Sequence, residues 1–446
     1  MSGSTPPPAA PTVCSERAGT DSKLIVLSAY TSSFGGMTVS LSMLIAGFKQ
    51  LGMGERLVVV TKAGSLQEQY LLEAGHVDCL QSLESRPGQS FSRTSLQWVH
   101  QQPHHWPLLL ESWVLRNRMF VLLAESKMLR RQRRPLFHFF HDLAISYNPI
   151  GNWVRKFVFS RVAPGAICNS NFTASVIRQY VTRDIRGVLY QPVDPSRFER
   201  SRIDKPPEAL RSLIDSNIGI LLTPSRLNKP GIVNDKNLRA LIPVLAELKA
   251  MGHRYQSVII GADGSTDGSY TRSLQELAYQ YGVGDWLTIL PPVFDIESYF
   301  VHADATITLA PREPFGRTVV EAIASGVPVI GSNTGGIAEI LNNFAPDWTV
   351  DPNDPEAVAR RICALRTSAE RTARQLKAGR EWVEQNCHVA RYAHGIATLT
   401  GLEAGCLETD CFDAGIDRNS VHSSRSDERF QPNLSTSQLS QPSTHS

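Results

Sequence analysis

Two acidic residues eight positions apart, Glu313 and Glu321, bracket the stretch most able to do chemistry, "EPFGRTVVEAIASGVPVIGSNTGGIAEIL". "TVVEAIAS" has helical composition. Helical side chains lean toward the helix N-terminus, so the Glu321 carboxylate tilts back toward the loop carrying Glu313. The backbone N–H groups of Phe315 to Thr318 precede the first intrahelical acceptors and are suited to receive a phosphate. Two carboxylates beside an anion-binding helix end match a ligand with hydroxyls at one end and phosphate in the middle. A nucleotide sugar has that layout. A solvated loop acid and a helix-surface acid are the bland reading of either glutamate alone.

The elements that position this stretch read as alternating strands and helices. "DATITLA" (304–310) is a buried strand, the helix stops at Gly326, "VPVIG" (327–331) is a second strand, and Gly335-Gly336 opens another helix. This is the grammar of a parallel sheet, whose ligands sit outside the carboxyl ends of the strands. The N-terminal half opens the same way. "KLIVLSAY" is a strand, Gly35-Gly36 stands at the strand-to-helix turn, and "RLVVVTK" follows. Paired glycines there allow close backbone approach to a ligand, or simply a tight turn. "PLFHFFHD" (135–142) ends in His141 and Asp142, "GAICNSNFTASVIRQYV" gives a strand and a helix capped near Ser170 or Asn171, and "IGILLTPSRL" (218–227) ends beside Arg226. Residues 107–135 read as one long helix with a basic end. That end could meet anionic lipid heads as a peripheral membrane contact, or be the solvated cap of a helix packed on the sheet. Residues 84–107 and 143–155 read as loops. The expected organisation is a disordered N-terminus (1–22), an N-terminal Rossmann-like domain (23–195) and a linker (196–216). A C-terminal domain including the last helices (217–402) and a disordered tail (403–446) complete it.

Composition excludes several classes. A net charge of +3 over 446 residues gives no push toward nucleic acid, and 42% apolar content is ordinary for a globular chain. No apolar run reaches the length of a membrane span, and the N-terminus lacks the apolar centre of a secretory signal. Seven scattered cysteines do not form a disulfide framework, and Cys406 and Cys411 lack partners for a zinc site. A reduced, cytoplasmic protein is the expectation.

The stretch at 313–341 resembles the donor-binding signature of family 4 glycosyltransferases of the GT-B fold. "GGMTVSLSMLIAGFKQLG", His141-Asp142, "CNSNFTA", "PVDPSRF", "SRL" at 225–227 and "IIGADG" at 259–264 fall in the family's order, so the similarity spans about residues 23–400. The resemblance implies an α/β, GT-B architecture: two doubly wound Rossmann-like domains facing a cleft. It implies a retaining transfer from a nucleotide-diphosphate sugar to a glycan, lipid-linked or small-molecule acceptor. Glu313 would contact the donor sugar, Glu321 the ribose, and Arg226 the diphosphate. Phe315, Gly316 and Arg317 would turn backbone toward sugar or diphosphate. Gly36, beside the Gly35 of the same turn, would lie near the phosphates, and His141 near the reacting sugar. The family's diphosphate lysine is displaced here, since its position is Gly231; Lys236 and Lys229 are the two candidates. No Asp-x-Asp pair is present, so cations without metal, and no cofactor, are expected to serve the leaving diphosphate. Three alternatives stay open: a non-catalytic GT-B binding protein, a GT-B phosphorylase, and an epimerase. A dinucleotide oxidoreductase is disfavoured, because Gly261 and Gly264 lack the full glycine fingerprint.

Overall fold

The computed structural model describes residues 21–28, 36–86, 88–146, 148–199, 203, 205–231, 235–265 and 267–402, all within one compact unit running to Ala404. Gly35, the expected disordered termini beyond these bounds, Cys406, Cys411, and parts of the linker and of the "NKPGIVND" segment lie outside the described residues.

In the first half, strands β1 (Leu24–Ser28), β2 (Leu57–Lys62), β3 (Leu80–Leu83), β4 (Leu108–Glu111), β5 (Leu136–Phe140), β6 (Gly165–Cys168) and β7 (Ile185–Val188) alternate with helices. Those are α1 (Gly36–Gln50), α2 (Leu66–Glu73), α3 (Phe91–Val99), α4 (Arg116–Arg131), α5 (Pro149–Val162) and α6 (Asn171–Tyr180). After α7 (Glu208–Asp215), the second half carries β8 (Gly219–Pro224), α8 (Leu241–Ala250), β9 (Tyr255–Ile260), α9 (Ser269–Gln280), β10 (Leu287–Leu290) and α10 (Ile296–Phe300). It continues with β11 (Ala305–Thr308), α11 (Arg317–Ala324), β12 (Val329–Ser332), α12 (Gly335–Leu341) and β13 (Thr349–Val350). Helices α13 (Pro355–Thr367), α14 (Ala369–Asn386) and α15 (Val389–Leu399) end the described chain.

Two sheets result, ordered β3-β2-β1-β4-β5-β6-β7 and β10-β9-β8-β11-β12-β13, with parallel pairing throughout. Central strands such as β1 and β9 are buried along their whole length, as strands covered by helices on both faces must be. Each sheet reverses its winding once, between β1 and β4 and between β8 and β11. The loops after those strands diverge there and leave a crevice at their carboxyl ends. This arithmetic of strand order brings Arg226, after β8, beside the Glu313 loop, after β11.

Several expectations need correction. Residues 107–135 are not one helix: Leu108–Glu111 is a buried strand paired with β1 and β5, Ser112 turns the chain at φ 58°, and α4 follows. A short apolar run does not reveal by periodicity whether it is a strand or a helix. Residues 84–107 contain α3, whose Leu96 and Val99 are fully buried, and 143–155 contain the start of α5. Part of the expected linker is helix α7. The helix expected from Asp235 begins as a tight turn at Leu238, because Asn237 is left-handed at φ 51°. Finally, α15 leaves the second half and packs on the first: Tyr392, Ala393, Ile396 and Ala397 join the core of Leu24, Val26, Leu44 and Phe48. Its apolar face fits α1 so closely that Gly47 of α1 lies against Val389 and Ala393.

Candidate active site

The loop between β11 and α11 is held on three sides. Phe315 buries its ring, which stacks on Tyr190 at 5.8 Å between centroids. Gly316 caps α11 at φ 98°, a conformation that favours glycine. The N–H of Gly336 donates to Glu313 O at 2.8 Å. From the other half, Ser170 Oγ donates to Pro314 O, and Thr173 Oγ1 donates to the same oxygen at 3.0 Å. Ser170 also accepts from Thr173 N at 2.9 Å, so the N-cap residue read from the sequence serves both its own helix and the opposite loop.

Charged groups converge on this loop. Lys236 Nζ donates to Glu313 Oε2 at 2.5 Å, with both side chains partly buried. Asn237 fixes the lysine's approach by donating from Nδ2 to Leu309 O at 3.2 Å. Arg317 Nε donates to Glu321 Oε1 at 2.8 Å, and Arg317 also donates to Ser40 Oγ of α1 at 2.9 Å. Burial raises the Glu321 carboxyl above its ordinary value, and the adjacent Arg317 guanidinium opposes that rise. Gly36 meets the same arginine: a Cβ there would lie 3.1 Å from Arg317 Cδ. Of the two candidate lysines, Lys236 reaches Glu313. Arg226 and Lys229 are exposed, and among the described residues neither side chain has a hydrogen-bond or ion-pair partner. Two contact sets thus flank the loop, Lys236 with Glu313 and Arg317 with Glu321 and Gly36, while Phe315 and Gly316 lie between them and Arg226 sits on the loop after β8.

His141 behaves differently from its sequence reading. Its ring is buried, Nδ1 lies 2.7 Å from Gln191 Nε2, and Nε2 lies 3.4 Å from Glu111 Oε1. An amide donating to Nδ1 leaves the proton on Nε2, facing the carboxylate. Both ring nitrogens are therefore engaged inside the protein, and the ring orders the end of β5 rather than facing the cleft with a free nitrogen. Its carbonyl accepts from Asn169 Nδ2 at 3.0 Å. Three residues earlier, within β5, His138 is fully enclosed. Its Nε2 accepts from Trp113 N at 3.1 Å, and burial, with His141 nearby, lowers its pKa to about 3.

Sequence reading did not single out Glu339, yet among the described residues it forms the densest polar contact between the halves. Its Oε1 accepts from Asn171 N, Asn171 Nδ2 and Tyr190 Oη at 2.8–2.9 Å, and its Oε2 accepts from Phe172 N at 2.8 Å. A carboxylate on the open N–H groups of α6 is a favourable helix cap. Burial, then the Glu339 charge, raises the Tyr190 phenol. Ser40, Gln191 and Glu111 were likewise unmarked, since each acts through a partner distant in sequence.

Residues 222–382 match the family described as Glycosyl transferases group 1. A D-inositol 3-phosphate glycosyltransferase of Streptomyces scabiei is 25% identical over 285 residues, covering 59% of this chain and 60% of that protein. A GDP-mannose-dependent alpha-(1-6)-phosphatidylinositol monomannoside mannosyltransferase of Mycobacterium tuberculosis is 28% identical over 200 residues, covering 43% of this chain and 49% of that protein. The chain spans 58–62% of the length of the first three curated relatives it matches. Among solved structures, Anabaena Alr3699/HepE in complex with UDP and glucose aligns with a TM-score of 0.69 at 20% identity, covering 84% of this chain and 98% of that one. With its two parallel sheets the chain has the GT-B fold, and the segment that carries Glu313 and Glu321 lies within the part that matches the glycosyl transferases group 1.

Proposed function

We propose that the protein is a retaining glycosyltransferase that takes a sugar from a nucleotide-diphosphate donor without a metal ion. The observation that carries this reading is the contact set around one helix end. Glu313 with Lys236 stands at one end of the 313–321 segment and Glu321 with Arg317 at the other, with the open N–H groups before Arg317 between them and Gly36 of the opposite half against Arg317. In this reading Glu321 accepts the ribose hydroxyls and Glu313 orients the donor sugar. Lys236, Arg226 and the α11 amides take up the charge that grows as the bond between the sugar C1 and the diphosphate oxygen breaks. The acceptor hydroxyl forms its bond to C1 on the same face, and its proton passes to the departing phosphate oxygen. His141 supports the site as a positioning residue through Gln191 and Glu111. The relatives named as inositol-phosphate and phosphatidylinositol-mannoside transferases favour a polyol or glycolipid acceptor.

Purified protein is expected to be stabilised against heat by one class among UDP-, GDP- and ADP-sugars, through preferential binding to the native state. With that donor it should form a glycoside of unchanged anomeric configuration in the presence of a chelator. A Glu321→Ala variant with undiminished affinity for every nucleotide sugar would contradict the assignment. Phosphorolysis of a glycan, or epimerised donor without acceptor, would favour the related GT-B activities.

A further inference from the structure

We propose that the outer surface of α4 and α5 docks onto an anionic phospholipid bilayer. Both helices cross between neighbouring parallel strands and bury their inner faces on one side of the first sheet, where Met119, Leu122, Leu129, Val158 and Val162 meet Ile25, Leu27 and Leu110. Their outer faces therefore point to solvent together. Arg130 Nη1 donates to Arg161 O at 3.2 Å and ties the two C-terminal ends.

The composition of that outer face is unusual in two ways. Four large apolar side chains stand in water at its N-terminal end: Ile150 is 68% exposed, Trp153 65%, Phe120 55% and Leu115 48%. Arg116 lies over the Phe120 ring at 5.8 Å, and Trp153 stacks on Phe157 at 5.6 Å, so the aromatic rings are held rather than trailing. The second feature is charge. Residues 112–161 contain ten Lys and Arg against Glu125 and Asp142, a net +8 in a chain of +3, with one of the ten, Arg134, buried on backbone carbonyls away from the face. Lys127, Arg130, Arg131, Lys156 and Arg161 are exposed, whereas Glu125 is partly covered and faces His100 at 3.3 Å. Aromatic and aliphatic side chains flanked by cations suit the headgroup boundary of an anionic membrane, with helices lying flat on it. Among the described residues no helix is long and apolar enough to cross a membrane, so the contact is peripheral.

Topology gives the placement a use. The exposed apolar residues lie at the starts of α4 and α5, the end of the sheet where β4 and β5 finish and the cleft opens. A bilayer seated there would bring an acceptor anchored in lipid to the cleft mouth. Membrane binding itself needs neither donor nor acceptor, so it stands or falls apart from the transfer reaction.

The test is co-sedimentation of the full chain with vesicles of phosphatidylcholine alone and of phosphatidylcholine mixed with phosphatidylglycerol. Binding is expected only to the anionic vesicles and should weaken as salt rises. The combined Lys127→Glu, Arg131→Glu, Lys156→Glu variant should lower the partition coefficient by about a hundredfold or more. Phe120→Ser with Trp153→Ser should lower it about tenfold with an unchanged circular dichroism spectrum, since both rings are on the surface. Tyr279→Ser, which removes an 82% exposed ring elsewhere, should leave it unchanged. Equal binding to neutral vesicles, indifference to the charge reversals, dimerisation through this face in light scattering, or displacement from vesicles by a mixed-sequence oligonucleotide would each overturn the proposal.

Discussion

Gly336→Ala adds one methyl group at the point where the candidate donor loop is most tightly held. Its Cβ would lie 2.5 Å from Phe315 O and 2.6 Å from both Phe315 Cα and Pro314 O, whereas ordinary contact starts at 3.4 Å. All three neighbours are backbone atoms, so no rotamer change relieves the overlap. The loop must retreat by roughly 0.8 Å, a close-packing requirement. It has little room to do so, because Ser170 and Thr173 hold Pro314 O from the opposite half. The displaced segment carries Glu313 and the N–H groups before Arg317. A misplacement near 1 Å costs about a hundredfold in rate where catalysis rests on positioning. Gly336→Ala is therefore expected to lower kcat/KM about a hundredfold and to weaken nucleotide-diphosphate binding measured by calorimetry. Gly252→Ala is the control: that residue has φ 77° and nothing within 4 Å of a new Cβ. It should cost about 1–2 kcal/mol of stability through backbone strain alone and leave kcat/KM unchanged. A Gly336→Ala enzyme with parental kcat/KM and nucleotide affinity would refute the role given to this loop.

Three further outcomes follow from other contacts. Lys236→Ala should reduce kcat by about a hundredfold to a thousandfold, the usual effect of removing one charge-stabilising group, while Lys229→Ala should have little effect; steady-state kinetics on both variants decides between them. Acid should destabilise the fold through His138. Its pKa is about 3 when folded against 6.5 when free, so its contribution is complete above pH 6.5 and is lost as pH falls toward 3, by about 5 kcal/mol at most. Denaturant titrations from pH 7 to pH 4 should show this slope, and His138→Phe should flatten it. Glu339→Gln should lower stability by about 1–3 kcal/mol, read as a drop in Tm, because charged acceptors of α6 are replaced by a neutral one.

The parts that could be read from residue order are those governed by local rules. The β-branched run at 304–310, Gly326 past the end of α11 and Ser170 at the start of α6 each carry their own signal, and each appears where expected. The placement of Glu313 relative to Glu321 was legible for the same reason, since a strand, a loop and a helix fix it. The boundary inside 107–135 was not legible. Leu108–Leu110 is apolar enough for either a strand or a helix, and only pairing with β1 and β5 decides. Which of Lys229 and Lys236 meets Glu313 turns on the left-handed Asn237, a single backbone state that no spacing rule announces. His141 illustrates the limit most clearly. Its type and place suggested direct chemistry, but Gln191, 50 residues on, and Glu111, 30 residues back, occupy both ring nitrogens.

Helix α12 explains why the two halves and the candidate site have to be considered together. At its first turn Gly335 and Gly336 touch the Glu313 loop. One turn later, Glu339 caps α6 of the first half, whose own N-cap residue, Ser170, reaches back to Pro314 in that loop. The path from Gly336 to Pro314, Ser170, Asn171 and Glu339 is a closed circuit of contacts through both halves. Separating the halves must break the Glu339 cap, the Ser170 contact and the Arg317–Ser40 bond, and each of these touches a residue of α12 or of the 313–317 segment. Cleft opening and the geometry of the candidate site are therefore coupled through the same few atoms. Under that coupling, Glu339→Gln should do more than lower Tm. It should raise KM for the donor, because a cleft that opens more readily spends less time with the site assembled. A variant with lower Tm and unaltered donor KM would show that the cap stabilises the fold without governing the cleft.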